Sequence, residues 1–84
     1  MRIAVVIPAR DEAARIEAAI RSAQEAGVEV IVVDGGSRDA TAQRAQQLGA
    51  RVIASAPGRA RQLAAGAEAA QGAEALVFLH ADTT

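Results

Sequence analysis

Near the end of this 84-residue chain, His80 and Asp82 have types and spacing that suit metal chemistry. They are two residues apart, so an extended backbone would place the imidazole and the carboxylate on the same side. Both groups suit a hard or borderline divalent ion such as Mg²⁺ or Mn²⁺. Because such an ion often keeps substrate phosphates as further ligands, the pair indicates a metal–phosphate site. A polar tail without a ligand is the alternative.

A second group of residues that could bind a ligand is Asp34-Gly35-Gly36-Ser37. A carboxylate at the end of a strand can accept hydrogen bonds from a nucleoside base or ribose. The glycines let the backbone approach a ligand, and the amino end of the following helix would favour an anion. The same residues are typical of a tight turn, so local chemistry alone leaves both interpretations open.

Arg59 and Arg61 form the third group, at the start of a predicted helix. Cations at this end of a helix oppose its dipole, so a negative ligand would compensate them. A diphosphate fits, because a guanidinium group donates two parallel hydrogen bonds to phosphate oxygens. Two solvated surface arginines are the alternative interpretation.

Alternating strands and helices are the elements that would position these groups. Continuous apolar, β-branched runs predict buried strands over residues 3–7 and 29–33, with the first at the centre of a sheet. Further strands are predicted over residues 51–54 and 75–79. Helical spacing and terminal glycines predict three intervening helices, of which the third runs over residues 59–71. The order βαβαβαβ predicts an α/β fold with three layers, in which helices cover a mainly parallel sheet.

The helix termini carry specific signals. Asp11 is the predicted cap of the first helix, and Ser37 or Asp39 is the predicted cap of the second. Gly66 interrupts the third helix and is expected to weaken it by about 1 kcal/mol relative to alanine.

Polar clusters follow the four predicted strands, at residues 8–12, 34–39, 57–61 and 80–83. In open parallel sheets, ligands bind outside the carboxyl ends of the strands. The topology therefore predicts that all four clusters face one ligand site.

Composition bounds the class of protein. With 51% hydrophobic and 23% charged residues, the chain is expected to fold as a single domain over residues 1–84. The net charge of −1 provides no basic surface for nucleic acid. The chain has no cysteine and no apolar run long enough to span a membrane, so a cytoplasmic location is predicted.

Four sequence blocks together resemble the amino-terminal, nucleotide-sugar-binding half of a family 2 glycosyltransferase, which has the GT-A fold. In order, the blocks are IAVVIPARDE (3–12), IVVDGGSRDAT (31–41), GRARQLAAGAEAAQG (58–72) and LVFLHADT (76–83). Within the family, the chain looks most like a bacterial group associated with arsenosugar biosynthesis. The resemblance implies a partial GT-A, Rossmann-like domain that is truncated or minimal.

The resemblance also implies roles for individual residues. Pro8, Ala9 and Glu12 would line the nucleoside pocket, Asp34 would hydrogen-bond the base, and Asp82 would hold the Mg²⁺ or Mn²⁺ that bridges the sugar diphosphate. Together with the groups described above, the candidate nucleotide-sugar-binding residues are Pro8, Ala9, Glu12, Asp34, Gly35, Arg59, Arg61, His80 and Asp82, with His80 and Asp82 as candidate metal ligands.

Two positions depart from the family pattern. His80 replaces the first aspartate of the family's Asp-any-Asp motif, and Ala64 stands where many members have asparagine. The usual contacts from these two positions are therefore in doubt.

The activity implied is inverting glycosyl transfer, in which a carboxylate deprotonates an acceptor hydroxyl and a metal stabilises the departing diphosphate. The family's base and acceptor pocket come later in its sequence, so no catalytic residue is assigned here and the isolated chain is expected to be inactive. Two alternatives stay open. One is a non-catalytic module that binds a nucleotide or self-associates through an exposed sheet edge. The other is a nucleotidyltransferase, which usually has a glycine-rich loop where this chain has residues 8–12.

Overall fold

The computed structural model describes residues 3–78, and it contains the seven predicted elements in the predicted order. They are β1 (Ile3–Ala9), α1 (Ala13–Glu25), β2 (Glu29–Asp34), α2 (Thr41–Gln47), β3 (Arg51–Ala54), α3 (Arg59–Ala69) and β4 (Ala75–Phe78).

The described strands form one parallel sheet in the order β3-β2-β1-β4. Helices α1 and α2 pack on one face of this sheet and α3 packs on the other. The prediction of a three-layer α/β fold is therefore confirmed, and so is the central position of β1.

Strand β1 is buried on both faces because each face meets a different helical layer. Val5 and Ile7 pack with Ile16 and Ile20 of α1 in one apolar cluster. Val6, on the opposite face, joins the cluster beneath α3. This double burial explains why the segment is uniformly apolar instead of alternating with polar residues.

Helix α3 lies unusually close to the sheet at Gly66. A Cβ atom on this residue would lie 2.2 Å from Val6 Cγ1 and 3.2 Å from Val33 Cγ2. The sequence predicts only the helix-weakening effect of this glycine. The structure shows in addition that α3 can pack this closely against β1 only because residue 66 has no side chain.

Capping of α1 differs from the prediction. The N-cap residue is Glu12, without a side-chain cap of its own, so the assignment of Asp11 as the cap is wrong. At the other end of the helices, Gly27 and Gly49 follow α1 and α2 with φ values of +74° and +90°, as expected for glycine after a helix.

No helix within residues 3–78 combines the length and the apolar character that crossing a membrane requires.

Candidate functional site

The carboxyl ends of three strands lie side by side and form what we call the carboxyl edge, defined by Ala9, Asp34 and Ala54. Backbone hydrogen bonds continue to the ends of these strands. The Gly35 N–H donates to the Ala9 carbonyl at 2.9 Å, and the Ser55 N–H donates to the Asp34 carbonyl at 2.9 Å. Strand β4 runs parallel to β1 with Phe78 opposite Val6, so its carboxyl end is directed towards the same edge.

The loops after β1 and β2 are joined through Asp11. Its Oδ1 accepts hydrogen bonds from the N–H groups of Arg38 at 2.7 Å and Asp39 at 3.4 Å. Its own N–H donates to Ser37 Oγ at 2.9 Å. Asp11 has φ +54°, a conformation that aspartate tolerates better than most residues. The residue therefore fastens two loops together and does not cap its own helix.

Asp39 makes the reciprocal connection. Its Oδ2 accepts the Ala13 N–H at 3.2 Å, and its Oδ1 accepts the Thr41 N–H at 2.9 Å and the Thr41 hydroxyl. The buried Thr41 Oγ1 in turn accepts the Glu12 N–H at 2.9 Å. Asp39 of the β2–α2 loop and Thr41, the first residue of α2, thus satisfy the N–H groups of Ala13 and Glu12 at the start of α1, which fixes both loops at the carboxyl edge.

The pKa of Asp39 lies below its ordinary value, chiefly because the Thr41 hydroxyl donates to the ionised carboxylate, with backbone N–H groups adding to the effect. A carboxylate with a lowered folded-state pKa stabilises the fold above its unfolded-state pKa, and this contribution is lost as the pH falls through the folded-state value.

We therefore expect Asp39→Asn to lower the free energy of unfolding most at neutral pH. The difference from the parent chain should shrink as the pH falls below about 4. Urea unfolding of both proteins from pH 7 to pH 2.5 measures this difference. Glu25→Gln, on the exposed end of α1, is the control for removing a carboxylate. A difference that is constant with pH would contradict the assigned role.

Asp34 is half-buried at the end of β2, and its Oδ1 accepts the Ser37 N–H at 3.1 Å. This hydrogen bond closes the turn that sequence reasoning offered as the alternative to a ligand role. The turn and a ligand role are compatible, because a carboxylate has a second oxygen that can accept further hydrogen bonds.

The other candidates on β1 or just after β1 and β2 differ in exposure. Pro8 and Glu12 are half-buried near the carboxyl edge, with Glu12 Oε2 at 3.9 Å from Arg15 Nη1. Ala9 and Gly35 are buried. Both therefore shape the edge through their backbones and offer little side-chain surface to a ligand.

Arg59 and Arg61 are exposed in the first turn of α3. The preceding Gly58 has φ +125°, which lets the chain turn sharply into the helix. The adjacent Gln62 contacts β1 and β2 at the carboxyl edge, so the structure brings the start of α3 to the same edge as Asp34.

Gln62 is the residue that sequence reasoning missed. Its side chain is buried, and its Nε2 donates to the carbonyls of Ala9 and Val33, both at 3.1 Å. A signal for it exists in the sequence. Helical spacing places position 62 on the face of α3 that packs on the sheet, together with Ala65, Gly66 and Ala69. Those three residues are small and apolar, so a glutamine on the same face is the signal.

The predicted metal ligands, His80 and Asp82, lie outside the described residues. Within residues 3–78, no group of three or more histidine, aspartate and glutamate side chains is arranged to hold a metal ion.

A surface depression between α1 and α2 is lined by Ala13, Ala14, Glu17, Ala18, Arg21 and Arg44. Its charged groups pair with one another, since Glu17 accepts hydrogen bonds from Arg21 Nε at 2.9 Å and from Arg44. The hydrogen bond from Arg44 is the main cause of a lowered pKa of Glu17. This depression provides no comparable set of groups for a ligand.

Residues 4–84 match the sequence family described as glycosyl transferase family 2. An uncharacterized glycosyltransferase of Rickettsia bellii is 48% identical over 52 residues, which are 62% of this chain and 18% of that protein. A similar protein of Rickettsia felis is 50% identical over 52 residues, with the same coverage.

Among solved structures, the chain is similar to glucosyl-3-phosphoglycerate synthase from Mycobacterium tuberculosis. One structure of that enzyme, in complex with Mn²⁺, uridine diphosphate (UDP) and glucosyl-3-phosphoglycerate, has 36% sequence identity and a TM-score of 0.84. The match covers 96% of this chain and 33% of that one. The complex with UDP alone has 35% identity and a TM-score of 0.85, and the match covers 99% of this chain and 34% of that one. This chain therefore spans about a third of the length of the solved enzyme.

Proposed function

Because the chain belongs to glycosyl transferase family 2, we propose that its carboxyl edge binds the nucleotide diphosphate of a sugar donor. The observation that carries the proposal is the position of Asp34, whose carboxylate is fixed by the Ser37 N–H at the end of β2, beside Ala9 of β1. This is the edge at which open parallel sheets bind ligands. The Mycobacterium tuberculosis enzyme in complex with UDP supports the assignment and makes UDP the first nucleotide to test.

In the proposed complex, different residues contact the base, the rest of the nucleoside and the diphosphate. Oδ1 of Asp34 is used by the turn, so Oδ2 accepts a hydrogen bond from the base. Pro8 and Glu12 line the neighbouring side of the nucleoside pocket, while the exposed Arg59 and Arg61 attract the diphosphate. Ala9 and Gly35 form the buried floor of the pocket through their backbones.

The proposed metal is Mn²⁺ or Mg²⁺, on Asp82 with His80. The donor types fit, because a carboxylate and an imidazole suit these ions when phosphate oxygens supply further ligands. The described residues contain no cluster of three such side chains, so the assignment depends on these two residues and on the substrate. When bound, the ion would neutralise the charge of the departing diphosphate.

The reaction proposed for the protein is inverting glycosyl transfer, with this chain providing donor binding. The acceptor and the catalytic base are not assigned to any residue of the chain. A single donor-binding domain over residues 1–84 and a cytoplasmic location stay predictions.

Calorimetric titration with UDP, with and without Mn²⁺, tests the proposal. We expect the Arg59→Gln/Arg61→Gln double variant to bind UDP about two- to thirtyfold more weakly, because exposed ion pairs contribute about 0.2–1 kcal/mol each. The affinity for uridine should change little, since uridine has no phosphate. Arg21→Gln, on α1, is the matched control and should bind UDP like the parent chain.

Absence of UDP, GDP and dTDP binding by the folded parent chain would contradict the proposed function. Equal losses for UDP and uridine in the arginine variant would contradict the diphosphate role of the arginines.

A second candidate function is self-association without catalysis. The observation in its favour is the exposure of Val77 and Phe78 on β4, which within the described residues pairs only with β1. Sedimentation velocity that shows a dimer, together with no nucleotide binding, would favour this candidate over donor binding.

A further inference from the structure

We propose that Gln62 is a positioning residue for the nucleotide site, and that its side-chain amide sets the place of Asp34 by fixing the ends of β1 and β2. This inference rests on the proposed function. Gln62 lies on α3, on the face of the sheet opposite α1 and α2, and it reaches the carboxyl edge from beneath.

Both N–H groups of the Gln62 amide donate to the two strands. A side-chain amide nitrogen has two N–H groups, and here one donates to the Ala9 carbonyl and the other to the Val33 carbonyl. Two carbonyl acceptors also determine which end of the amide faces the strands, because only the nitrogen can donate. We call this arrangement, the Gln62 amide with the carbonyls of Ala9 and Val33, the Gln62 clamp.

The clamp acts on both sides of Asp34. The Val33 carbonyl, immediately before Asp34, is one acceptor. Gly35, immediately after Asp34, lies against the same amide, since a Cβ on Gly35 would be 2.7 Å from Gln62 Cδ and 2.8 Å from Nε2. The backbone that carries the Asp34 carboxylate is therefore fixed from both neighbours by one buried side chain.

The structure thus gives a reason for glycine at position 35 other than the close approach of the backbone to a ligand that the sequence suggests. Its φ is not in the left-handed region, so the backbone alone does not require glycine at this position. The space that glycine leaves is occupied by the Gln62 amide. Position 35 must lack a side chain so that position 62 can reach both carbonyls.

The clamp predicts that two different substitutions weaken UDP binding for the same reason. Gln62→Met keeps the approximate volume of the side chain and removes both donors. Gly35→Ala keeps both donors but displaces the flexible end of Gln62 from the carbonyls. We expect each variant to bind UDP about tenfold more weakly, the equivalent of about one or two ordinary hydrogen bonds.

A double-mutant cycle with Asp34→Asn separates positioning from a merely structural role. If Gln62 acts through Asp34, Gln62→Met should weaken UDP binding about tenfold in the parent chain and less than about twofold in the Asp34→Asn background. The amide resonance of Ser37, which donates to Asp34, should also move in Gln62→Met. Ile20→Val, in the core beneath α1, is the control for lost stability and should leave the UDP affinity and the Ser37 resonance unchanged.

The outcomes separate this inference from the proposed function. Normal UDP affinity in folded Gln62→Met or Gly35→Ala, or additive losses in the cycle, would overturn the role of Gln62 while donor binding still stands. If Gln62→Met does not fold, the Gly35→Ala variant, with its cycle against Asp34→Asn, decides the question. Failure of the parent chain to bind UDP, GDP and dTDP would overturn both.

Discussion

Replacing Gly66 by alanine is expected to lower the free energy of unfolding, although alanine is the better helix former. The added Cβ would lie 2.2 Å from Val6 Cγ1, in a layer where β1 and α3 are already in contact. Overpacking of this kind destabilises by about 1–3 kcal/mol. The gain in helix propensity is at most about 1 kcal/mol, so the steric effect should win or, at its weakest, cancel the gain. Urea denaturation of the two proteins measures the difference.

The control for this prediction is position 67, the next residue of α3. Ala67 is exposed, so Ala67→Gly removes a Cβ from the same helix without a contact to the sheet and should destabilise by about 1 kcal/mol through propensity alone. Combining Gly66→Ala with Val6→Ala should reduce the steric part of the effect. A Gly66→Ala variant that is more stable than the parent chain would contradict the close approach of α3 to β1.

Replacing Asp34 by asparagine is expected to weaken UDP binding about 10- to 150-fold, because a hydrogen bond to a charged group contributes about 1.5–3 kcal/mol. The amide oxygen can still accept the Ser37 N–H, so the turn at the end of β2 should persist. The substitution replaces the second carboxylate oxygen, which we assign to the base, by an N–H₂ group that cannot accept. Calorimetric titration of the two proteins with UDP measures the loss.

Glu68→Gln, on the exposed surface of α3, is the matched control because it removes one carboxylate away from the carboxyl edge. Its UDP affinity should equal that of the parent chain. An unfolding curve for Asp34→Asn is needed beside the titration, so that weak binding is not confused with loss of fold. Unchanged affinity in a folded Asp34→Asn protein would rule out the base contact.

The layers of the fold were predictable because the information is local. Each buried strand is a continuous apolar run, and residues after each helix adopt the conformations that glycine favours. The end of β1 was less predictable. The predicted strand over residues 3–7 stops before Pro8, yet Pro8 lies within β1 in register with Val33. Within residues 3–78, Pro8 pairs with Val33 of β2, and the pairing of β1 with β4 is described up to Val6 and Phe78.

The connections within the site depend on residues far apart in the sequence, which is why they could not be predicted. Asp11 lies two residues before Ala13, the first residue of α1, and the local pattern therefore indicates a cap. Its carboxylate instead accepts from Arg38, 27 residues away. The hydrogen bond between Gln62 and the Ala9 carbonyl joins residues 53 positions apart, and no local sequence pattern predicts it. Only the folded chain shows that a buried side chain of α3 holds the ends of β1 and β2 at the carboxyl edge.

The most direct test of the account is to map the UDP-binding surface by backbone amide chemical shifts. Binding at the carboxyl edge predicts that UDP moves the resonances of residues 10–12, 34–38 and 59–62 and leaves those at the opposite ends of the strands, such as Glu29 and Arg51, in place. Shifts concentrated at those opposite ends, or no shifts with saturating UDP, GDP and dTDP in the presence of Mg²⁺, would contradict the claim that this edge is the donor site.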